Sequence, residues 1–450
     1  MSEARALLLE ALRAARRRFR MPELPAQEQG ALAMGPDAAI AFALERMRAH
    51  VDAGEPVPAG MQALFTRQLA ELIRAALVPR SGDPTFQALV LRAMEPEVEE
   101  YVRLGAKAVA DQRVVRSAMD AVAHPGKLRG LDDEQLRESL ERLHQLATSQ
   151  SWSALREGME ALGSRLRGND GGGGGNDVVL KALERLRRAD ALLQSAAVQR
   201  YRALCEQRGP AAGTEAALAS GRASARTGEV AEAATVDALQ EIAARMNAHE
   251  PGHRVVRSLR TPRGFPGAVG KAKDEWDAAI VREQGDAAGI VLLVEVKAAP
   301  AAATPDFTRL ARGLERLAQA GRSGAWDFPS ADGDVRIAAE SLRALLPQGR
   351  ALPPHVIYAC SAPPEPRVQL LSAATRAVLL AEPASVAFAT ELARSGAGAH
   401  EQLSGIWKQL AAAPRLRSAL YQYDTARRVR EAMLHPQDLL AAVRLSSSPP

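Results

Sequence analysis

The chain has few of the cysteines that form disulfides in small secreted proteins or bind zinc in small zinc-binding domains. Its 450 residues include only two cysteines, Cys205 and Cys360, which lie far apart and outside any zinc-ligand spacing. The sequence therefore suggests neither a disulfide framework nor a zinc site, and a reducing cytoplasm is the expected location. The longest strongly apolar stretch, residues 289–296, is too short to span a bilayer, so we expect no membrane partner.

Aromatic residues are also scarce, at 4%, whereas alanine, leucine and arginine are abundant, which favours helices. The net charge of +5 is small for this length and allows an acidic partner without requiring one. No Walker loop, dinucleotide-binding fingerprint or nucleophile elbow occurs in the sequence. The corresponding classes of nucleotide-binding protein and serine hydrolase are therefore not indicated.

Hydrophobic periodicity and turn residues divide the chain into regions of different predicted structure. Residues 1–208 predict helices only, with a flexible glycine-rich loop at residues 168–177. Residues 209–221 are mostly small and show no regular hydrophobic periodicity, which predicts a linker. Residues 222–395 predict an α/β domain with a mixed sheet, and residues 396–450 a helical extension.

The α/β domain is predicted to contain eight elements. In chain order these are a helix at 223–247, strands at 253–259, 275–282 and 289–297, a helix at 305–320, a strand at 355–360, a helix at 368–381 and a strand at 385–390.

Two acids and a lysine occur near the open end of the hairpin formed by the second and third strands. If its turn is centred on Asp286, Val281 pairs near Val291 and Asp277 pairs near Glu295, close enough for the two acids to share a cation. Alternation along the third strand predicts one face with Val291, Leu293, Glu295 and Lys297 and an opposite face with Ile290, Leu292, Val294 and Val296.

Burial of these charges would be costly unless they are paired, bind a metal or serve a function. Two carboxylates, Asp277 and Glu295, suit a hard cation such as Mg²⁺ (or Mn²⁺), and Lys297 suits the orientation or activation of a water molecule that attacks a phosphodiester. The alternative is a surface hairpin in which Lys297 forms a salt bridge with either acid.

At these residues the chain resembles the PD-(D/E)xK nuclease superfamily. Asp277 matches the isolated aspartate of that family and Glu295-Val296-Lys297 matches its (D/E)xK motif, although Trp276 stands where proline is often found. The resemblance covers residues 223–390, where the predicted order of elements is also similar. It implies a restriction-endonuclease-like α/β core and a metal-dependent nuclease, with DNA as the expected substrate.

Members of this family often add an acid from the first core helix. Glu232 is the favoured fourth acid and third metal ligand, because it lies on an apolar stripe that should face the sheet, and Glu229 is the second choice. The other members of the stripe are Val236, Leu239, Ala243 and Met246. Alternatively, both glutamates are ordinary first-turn acids that complement the helix dipole.

The segment before Asp277 contains no acidic residue between His253 and Lys273. Its basic residues are predicted to bind a nucleic-acid backbone, and the alternative is a solvated loop. They are Arg254, Arg257, Arg260, Arg263, Lys271 and Lys273.

The sequence thus predicts a cytoplasmic, Mg²⁺-dependent nuclease whose helical region selects a target, binds a protein partner or forms a homo-oligomer. Two other functions remain open. The nuclease fold could act as a nucleic-acid-binding or scaffolding module with little catalysis, or the helical region could be the main functional part. His355, Asp306 and Arg309 are expected to be structural.

Overall fold

The computed structural model describes residues 3–166, 173–209, 214–268 and 270–446. Contacts between residues group the chain into two compact units. Unit 1 comprises Met1–Leu72, Ala211–Leu379 and His400–Pro450, and unit 2 comprises Ile73–Pro210 and Leu380–Ala399. The domain limits inferred from the sequence stay predictions, but these contacts place the first helices with the sheet.

The described part of the first 208 residues is helical, as expected, and contains no strand. The helices are α1 (Glu3–Ala14), α2 (Glu28–Ala33), α3 (Pro36–Ala53), α4 (Ala59–Leu77), α5 (Pro84–Met94), α6 (Pro96–Ala123), α7 (Pro125–Leu128), α8 (Glu134–Thr148), α9 (Trp152–Leu166), α10 (Gly173–Leu192) and α11 (Ala196–Glu206). The glycine-rich loop predicted at residues 168–177 lies outside the described residues up to 172, and from Gly173 onwards the prediction is wrong, because this part belongs to α10.

A mixed sheet and further helices follow. They are α12 (Glu215–His249), β1 (His253–Arg260), β2 (Glu275–Gln284), β3 (Ala287–Val296), α13 (Ala303–Leu317), β4 (Ala325–Phe328), β5 (Val335–Ala338), α14 (Ala339–Arg343), β6 (Val356–Ala359), α15 (Ala373–Ala381), α16 (Pro383–Ser395), α17 (Ser404–Ala412), α18 (Arg417–Leu420), α19 (Gln422–Glu431), β7 (Met433–Leu434) and α20 (Pro436–Ser446). Short 3-10 turns lie at Pro300–Ala302, His400–Leu403 and Pro414–Leu416.

The sheet of unit 1 has the order β1-β2-β3-β5-β4, and β6 also pairs with β3. β2 is antiparallel to both of its neighbours, whereas β5 and β6 run parallel to β3 and β7 runs parallel to β6. After β4 the chain returns to the outer edge of β1, where the backbone of Arg260 donates to Pro329 O at 2.8 Å. The sheet is therefore strongly curled, and its first strand is partly covered at its edge.

Apolar layers cover both faces of this sheet. On one face, Leu310 and Leu314 of α13 pack with Leu293 of β3. On the other, Ile242 of α12 packs with Leu292 of β3, in a cluster that also includes buried residues of α1 and α20. β3 is buried on both sides from Ile290 to Val296, which is typical of a central strand with helices above and below.

The hairpin of β2 and β3 contains a β-bulge that the sequence analysis did not include. Ile280 pairs with Leu292, but Val281 pairs with Ile290, so Val291 is the extra residue and its predicted pairing with Val281 is wrong. Consequently Ile290 packs on the α13 side of the sheet and Val291 on the α12 side, opposite to the predicted faces. From Leu292 to Val296 the predicted alternation of the apolar residues is confirmed.

The bulge also determines the register at the open end of the hairpin. At the turn Gln284 pairs with Ala287, so the register there is shifted by one residue from the predicted one. The extra residue of the bulge, Val291, restores the predicted register further along the strands. Beyond the bulge Ala278 pairs with Val294, which is the predicted offset. Extending this register by one position places Asp277 opposite Glu295.

Other differences concern elements outside the hairpin. The strand predicted at 385–390 is wrong, because this segment lies in α16, where Pro383 occupies the first turn and residues buried at helical spacing replace the expected alternation. The predicted linker at 209–221 is helical from Glu215, where the Thr214 side chain caps α12. Strands β4, β5 and β7 were not predicted, and all are four residues long or shorter.

Unit 2 is a helical assembly organised around the long helix α6. Val115 and Met119 of α6 pack with Leu143 of α8, and the same cluster contains buried leucines of α9 and α10. Asp111 of α6 is buried and accepts hydrogen bonds from Arg185 of α10 at 2.5 and 2.8 Å. In the described part of the protein, no helix combines the length and apolar character needed to span a membrane.

Candidate functional site

The candidate site lies where β3 ends. Glu295 is the penultimate residue of β3 and is only 2% exposed. It is flanked by β2 on one side and by β6 on the other, where it pairs in register with Tyr358. Because β3 is the central strand, its last side chains emerge between elements rather than into solvent, which explains why a carboxylate is buried here.

Two lysines bind the same oxygen of this carboxylate. Lys297 Nζ lies 2.6 Å from Glu295 Oε1 and Lys273 Nζ lies 2.7 Å from it. The other oxygen, Oε2, is buried, and no hydrogen-bond donor among the described residues reaches it. A buried carboxylate oxygen without a donor is uncommon in a native protein and is a feature that a bound cation or water would explain.

Asp277 is held beside Glu295 by the backbone of β3. Its Oδ2 accepts a hydrogen bond of 2.6 Å from the amide of Val296. This bond continues the β2–β3 contact past the last paired residues, so the half-buried Asp277 carboxylate is fixed next to the Glu295 side chain. The structure therefore brings together the three residues Asp277, Glu295 and Lys297.

The charges in this cluster influence one another. Burial, and then the neighbouring Asp277, raise the pKa of the Glu295 carboxyl to about 7, and outweigh the opposing effect of the two lysines. Burial alone would lower the pKa of Lys297, but Glu295 and Asp306 outweigh it and the pKa is raised. Lys297 is thus held as an ammonium, while Glu295 can lose its proton near neutral pH.

Two residues that were not predicted as site members lie beside the cluster, Asp306 next to Lys297 and Tyr358 next to Glu295. Asp306, in the first turn of α13, has its Oδ2 at 3.2 Å from Lys297 Nζ. Tyr358 is fully buried, and its hydroxyl has no hydrogen-bond partner within the described ranges. Burial, together with the charges of Asp306 and Glu295, raises the pKa of this phenol. An acid placed in the first turn after the (D/E)xK strand was the available signal for Asp306.

The two glutamates of α12 have different positions from those expected. The buried stripe of this helix contains Ala231, Thr235 and Ala238, which leaves Glu232 exposed at its edge rather than facing the sheet. Burial raises the pKa of the Glu232 carboxyl, and the charge of Asp277 raises it further. Glu229 is exposed, one turn earlier on the helix.

Most of the basic residues predicted to bind nucleic acid are paired with acids. Arg254 contacts Glu283 at 3.0 Å and Arg260 contacts Glu275 at 3.2 Å. Arg257 binds Asp332, with its shortest contact at 2.5 Å. The remaining surface residues of the set, Arg263 and Lys271, are exposed in the loop between β1 and β2.

Lys273 differs from the other five basic residues and corrects the prediction of a surface contact. Its side chain is 9% exposed and points to Glu295, so it is a member of the buried cluster. Local sequence could not reveal this, because the position of Lys273 depends on α13, where its backbone amide donates to Arg309 O at 3.0 Å.

The residues present fit a cation held by two protein carboxylates. Within the described residues, no group of three or more histidine, cysteine, aspartate or glutamate side chains is placed to hold a metal ion, so the predicted three-acid set with Glu232 does not assemble. Two acids, one of them with a free buried oxygen, remain in Asp277 and Glu295. Mg²⁺ commonly takes one or two carboxylates from a protein and its other ligands from water and phosphate groups.

Comparisons with models of known protein families, with curated proteins and with solved structures find no match for this chain.

Proposed function

We propose that unit 1 is a metal-dependent phosphodiesterase, a nuclease with a restriction-endonuclease-like core, and that DNA is its substrate. The observation that carries the proposal is the buried, donor-free Oε2 of Glu295 beside Asp277, with Lys297 bound to the same glutamate. This arrangement combines cation ligands and an ammonium group at one end of a rigid central strand.

Asp277 and Glu295 would hold the cation. Asp277 is already fixed through one oxygen by the amide of Val296, and Glu295 is fixed through Oε1 by the two lysines. Such preorganisation reduces the free energy needed to arrange ligands when a cation binds. When bound, Mg²⁺ would polarise a phosphate and lower the pKa of a nearby water molecule.

Lys297 is the residue proposed to position that water. Its ammonium is shared by Glu295 at 2.6 Å and Asp306 at 3.2 Å, which restrains the end of a long side chain, and the side chain is 18% exposed. A restrained ammonium of this kind can donate to a water or to a phosphate oxygen with a small entropic cost. Asp306 is a positioning residue in this scheme, because it acts through Lys297.

The test is cleavage of nucleic acid by the purified full chain. Linear and plasmid DNA are incubated with Mg²⁺ or Mn²⁺, and Lys297→Ala is compared with Lys408→Ala, whose exposed side chain in α17 lies outside the cluster and outside the predicted nucleic-acid-binding set. We expect cleavage by the wild-type protein, a loss of about 100-fold or more in Lys297→Ala, and little change in Lys408→Ala. Cleavage that survives Lys297→Ala, or no cleavage of any nucleic acid tried, would overturn the proposal.

A second candidate function is a nucleic-acid-binding or scaffolding module with little catalysis. The observation in its favour is that both lysines already neutralise Glu295, and that the described residues contain no three-ligand metal cluster. Salt-sensitive binding of DNA that is unaffected by Asp277→Ala, without hydrolysis, would support this candidate.

A further inference from the structure

Lys273 is the member of the cluster whose charge the proposed mechanism does not use, beyond holding Glu295 Oε1 in place. Its ammonium contacts Glu295 Oε1 at 2.7 Å, and its side chain is half as exposed as that of Lys297, at 9% against 18%. Lys297 reaches a second carboxylate, Asp306, and is the more accessible of the two. The two ammonium groups are therefore not equivalent, since Lys273 lies deeper in the protein.

The fold holds Lys273 in this place through its backbone. Its amide donates to Arg309 O of α13, and its carbonyl and Cβ lie against Gly313 one turn later. A Cβ at position 313 would lie 2.7 Å from Lys273 O and 2.9 Å from Lys273 Cβ, closer than van der Waals contact allows. Lys273 is thus a built-in component of the cluster, and not a mobile surface residue that happens to reach it.

The charges of the five clustered side chains nearly balance. Asp277, Glu295 and Asp306 are acids and Lys273 and Lys297 are bases, so the net charge of the cluster with all groups ionised is −1. A divalent cation that enters this cluster meets two fixed ammonium groups at short range. Because charges interact strongly in a poorly hydrated site, each ammonium opposes binding of the cation.

We propose that Lys273 is a fixed countercharge that lowers the affinity of Asp277 and Glu295 for a divalent cation until a phosphate-bearing ligand adds negative charge. This inference rests on the proposed function, because it takes the two carboxylates as cation ligands and a nucleic-acid phosphate as the ligand. The cation and the phosphate then bind with positive coupling, and each strengthens the binding of the other.

The test measures Mn²⁺ binding to the full chain by titration calorimetry or by electron paramagnetic resonance. Lys273→Met removes the ammonium and keeps an unbranched apolar side chain, and Lys408→Met, at an exposed position of α17, is the control. We expect Lys273→Met to bind Mn²⁺ about tenfold more tightly than the wild-type protein and Lys408→Met to bind it as the wild type does. Equal or weaker binding by Lys273→Met, including no binding by either protein, would overturn the inference.

A second measurement, thermal unfolding with and without Mn²⁺, tests the inference even if Lys273→Met folds poorly. Removal of Lys273 leaves Glu295 with one ammonium, so Mn²⁺ should raise the melting temperature of Lys273→Met more than that of the wild type. If Lys273→Met is unfolded without cation, Mn²⁺ should restore its circular dichroism signal, and failure to do so contradicts the inference.

The coupling to phosphate is measured by repeating the Mn²⁺ titration with a short DNA duplex present. The duplex should tighten Mn²⁺ binding to the wild type more than to Lys273→Met. Equal tightening in both proteins, or none in the wild type, would contradict the coupling. None of these readouts depends on turnover, so an absence of DNA cleavage would reject the proposed function and leave the effect of Lys273 on Mn²⁺ affinity to be judged on its own.

Discussion

The free-energy cost of burying the ionised Glu295 carboxylate depends on the groups that contact it. Transfer of an ionised carboxylate out of water costs several kcal/mol, and only close ammonium groups, hydrogen bonds or a metal offset that cost. Here two ammonium groups bind one oxygen and none binds the other. Such one-sided neutralisation is a poor solution for stability alone, and it is the physical basis for treating the cluster as a functional site.

A buried histidine whose backbone pairs with β3 leads to a prediction of pH dependence. His355 is 6% exposed, and burial, followed by the charge of Arg5, lowers its pKa to about 4. The folded protein therefore favours the neutral imidazole, and the unfolded chain, with a pKa of about 6.5, takes up the proton first as the pH falls. The stabilisation is present above pH 6.5 and is lost between about pH 6.5 and 4.

We expect His355→Gln to remove this component of the pH dependence. The free energy of unfolding of the wild type should fall by about 2 kcal/mol more than that of His355→Gln between pH 7 and pH 4.5. Urea denaturation at the two pH values measures this difference. His249→Gln, at the exposed end of α12, is the control and should follow the wild type. Parallel pH profiles for His355→Gln and the wild type would show that the imidazole is not buried as described.

At the scale of elements, the contact of α13 with the segment before β2 positions one side of the site. Gly313 lies in the middle of α13, and the absence of a side chain lets Lys273 and Trp276 approach the helix. A glycine within a helix costs about 1 kcal/mol relative to alanine, so its presence here requires a packing reason. The close approach of Lys273 is that reason.

Gly313→Ala should therefore destabilise the protein although alanine is the better helix former. We expect a loss of about 2 kcal/mol in the free energy of unfolding, because the new methyl group would overlap with the carbonyl oxygen and the Cβ of Lys273. Gly221→Ala in α12 is the control: a Cβ there meets no atom within 4 Å, and the variant should gain up to about 1 kcal/mol. Urea denaturation of both variants provides the measurement, and a gain in stability for Gly313→Ala would contradict the close packing.

At the scale of the whole molecule, unit 1 is built from chain segments that are far apart in sequence. Leu8 of α1 and Leu440 of α20 share an apolar cluster with Ile242 of α12 and Val294 of β3. The backbone of β6 also bonds to the segment of β7, where the amide of Cys360 donates to Leu434 O at 2.9 Å. The last helix of the chain is consequently part of the core that supports β3.

This arrangement predicts that truncation of one side chain near the C-terminus weakens the core of the sheet. Leu440→Ala should lower the free energy of unfolding by about 3 kcal/mol, since the side chain is 3% exposed and its removal leaves a cavity. Leu445→Ala in the same helix, where the side chain is 79% exposed, should change it by less than about 0.5 kcal/mol. Chemical denaturation followed by circular dichroism compares the two, and equal effects would contradict the packing of α20 in this core.

The part of the fold that could be predicted from sequence is the part with strong local periodicity. Long helices, the β2–β3 hairpin and the near-continuous burial of β3 follow from apolar patterns that act over a few residues. The same patterns predicted Asp277 opposite Glu295 with Lys297 two positions later. The nuclease function attached to these residues stays a prediction until cleavage is measured.

Contacts between distant segments decided the rest, because no local pattern encodes them. The bulge at Val291 exchanges the faces of two residues, and the short strand β7 is defined by its pairing with β6. Lys273 changes from an expected surface residue to a buried partner of Glu295 only because α13 approaches it at Gly313. Sequence determined which charged residues end the central strand, and tertiary packing decided which neighbours neutralise them.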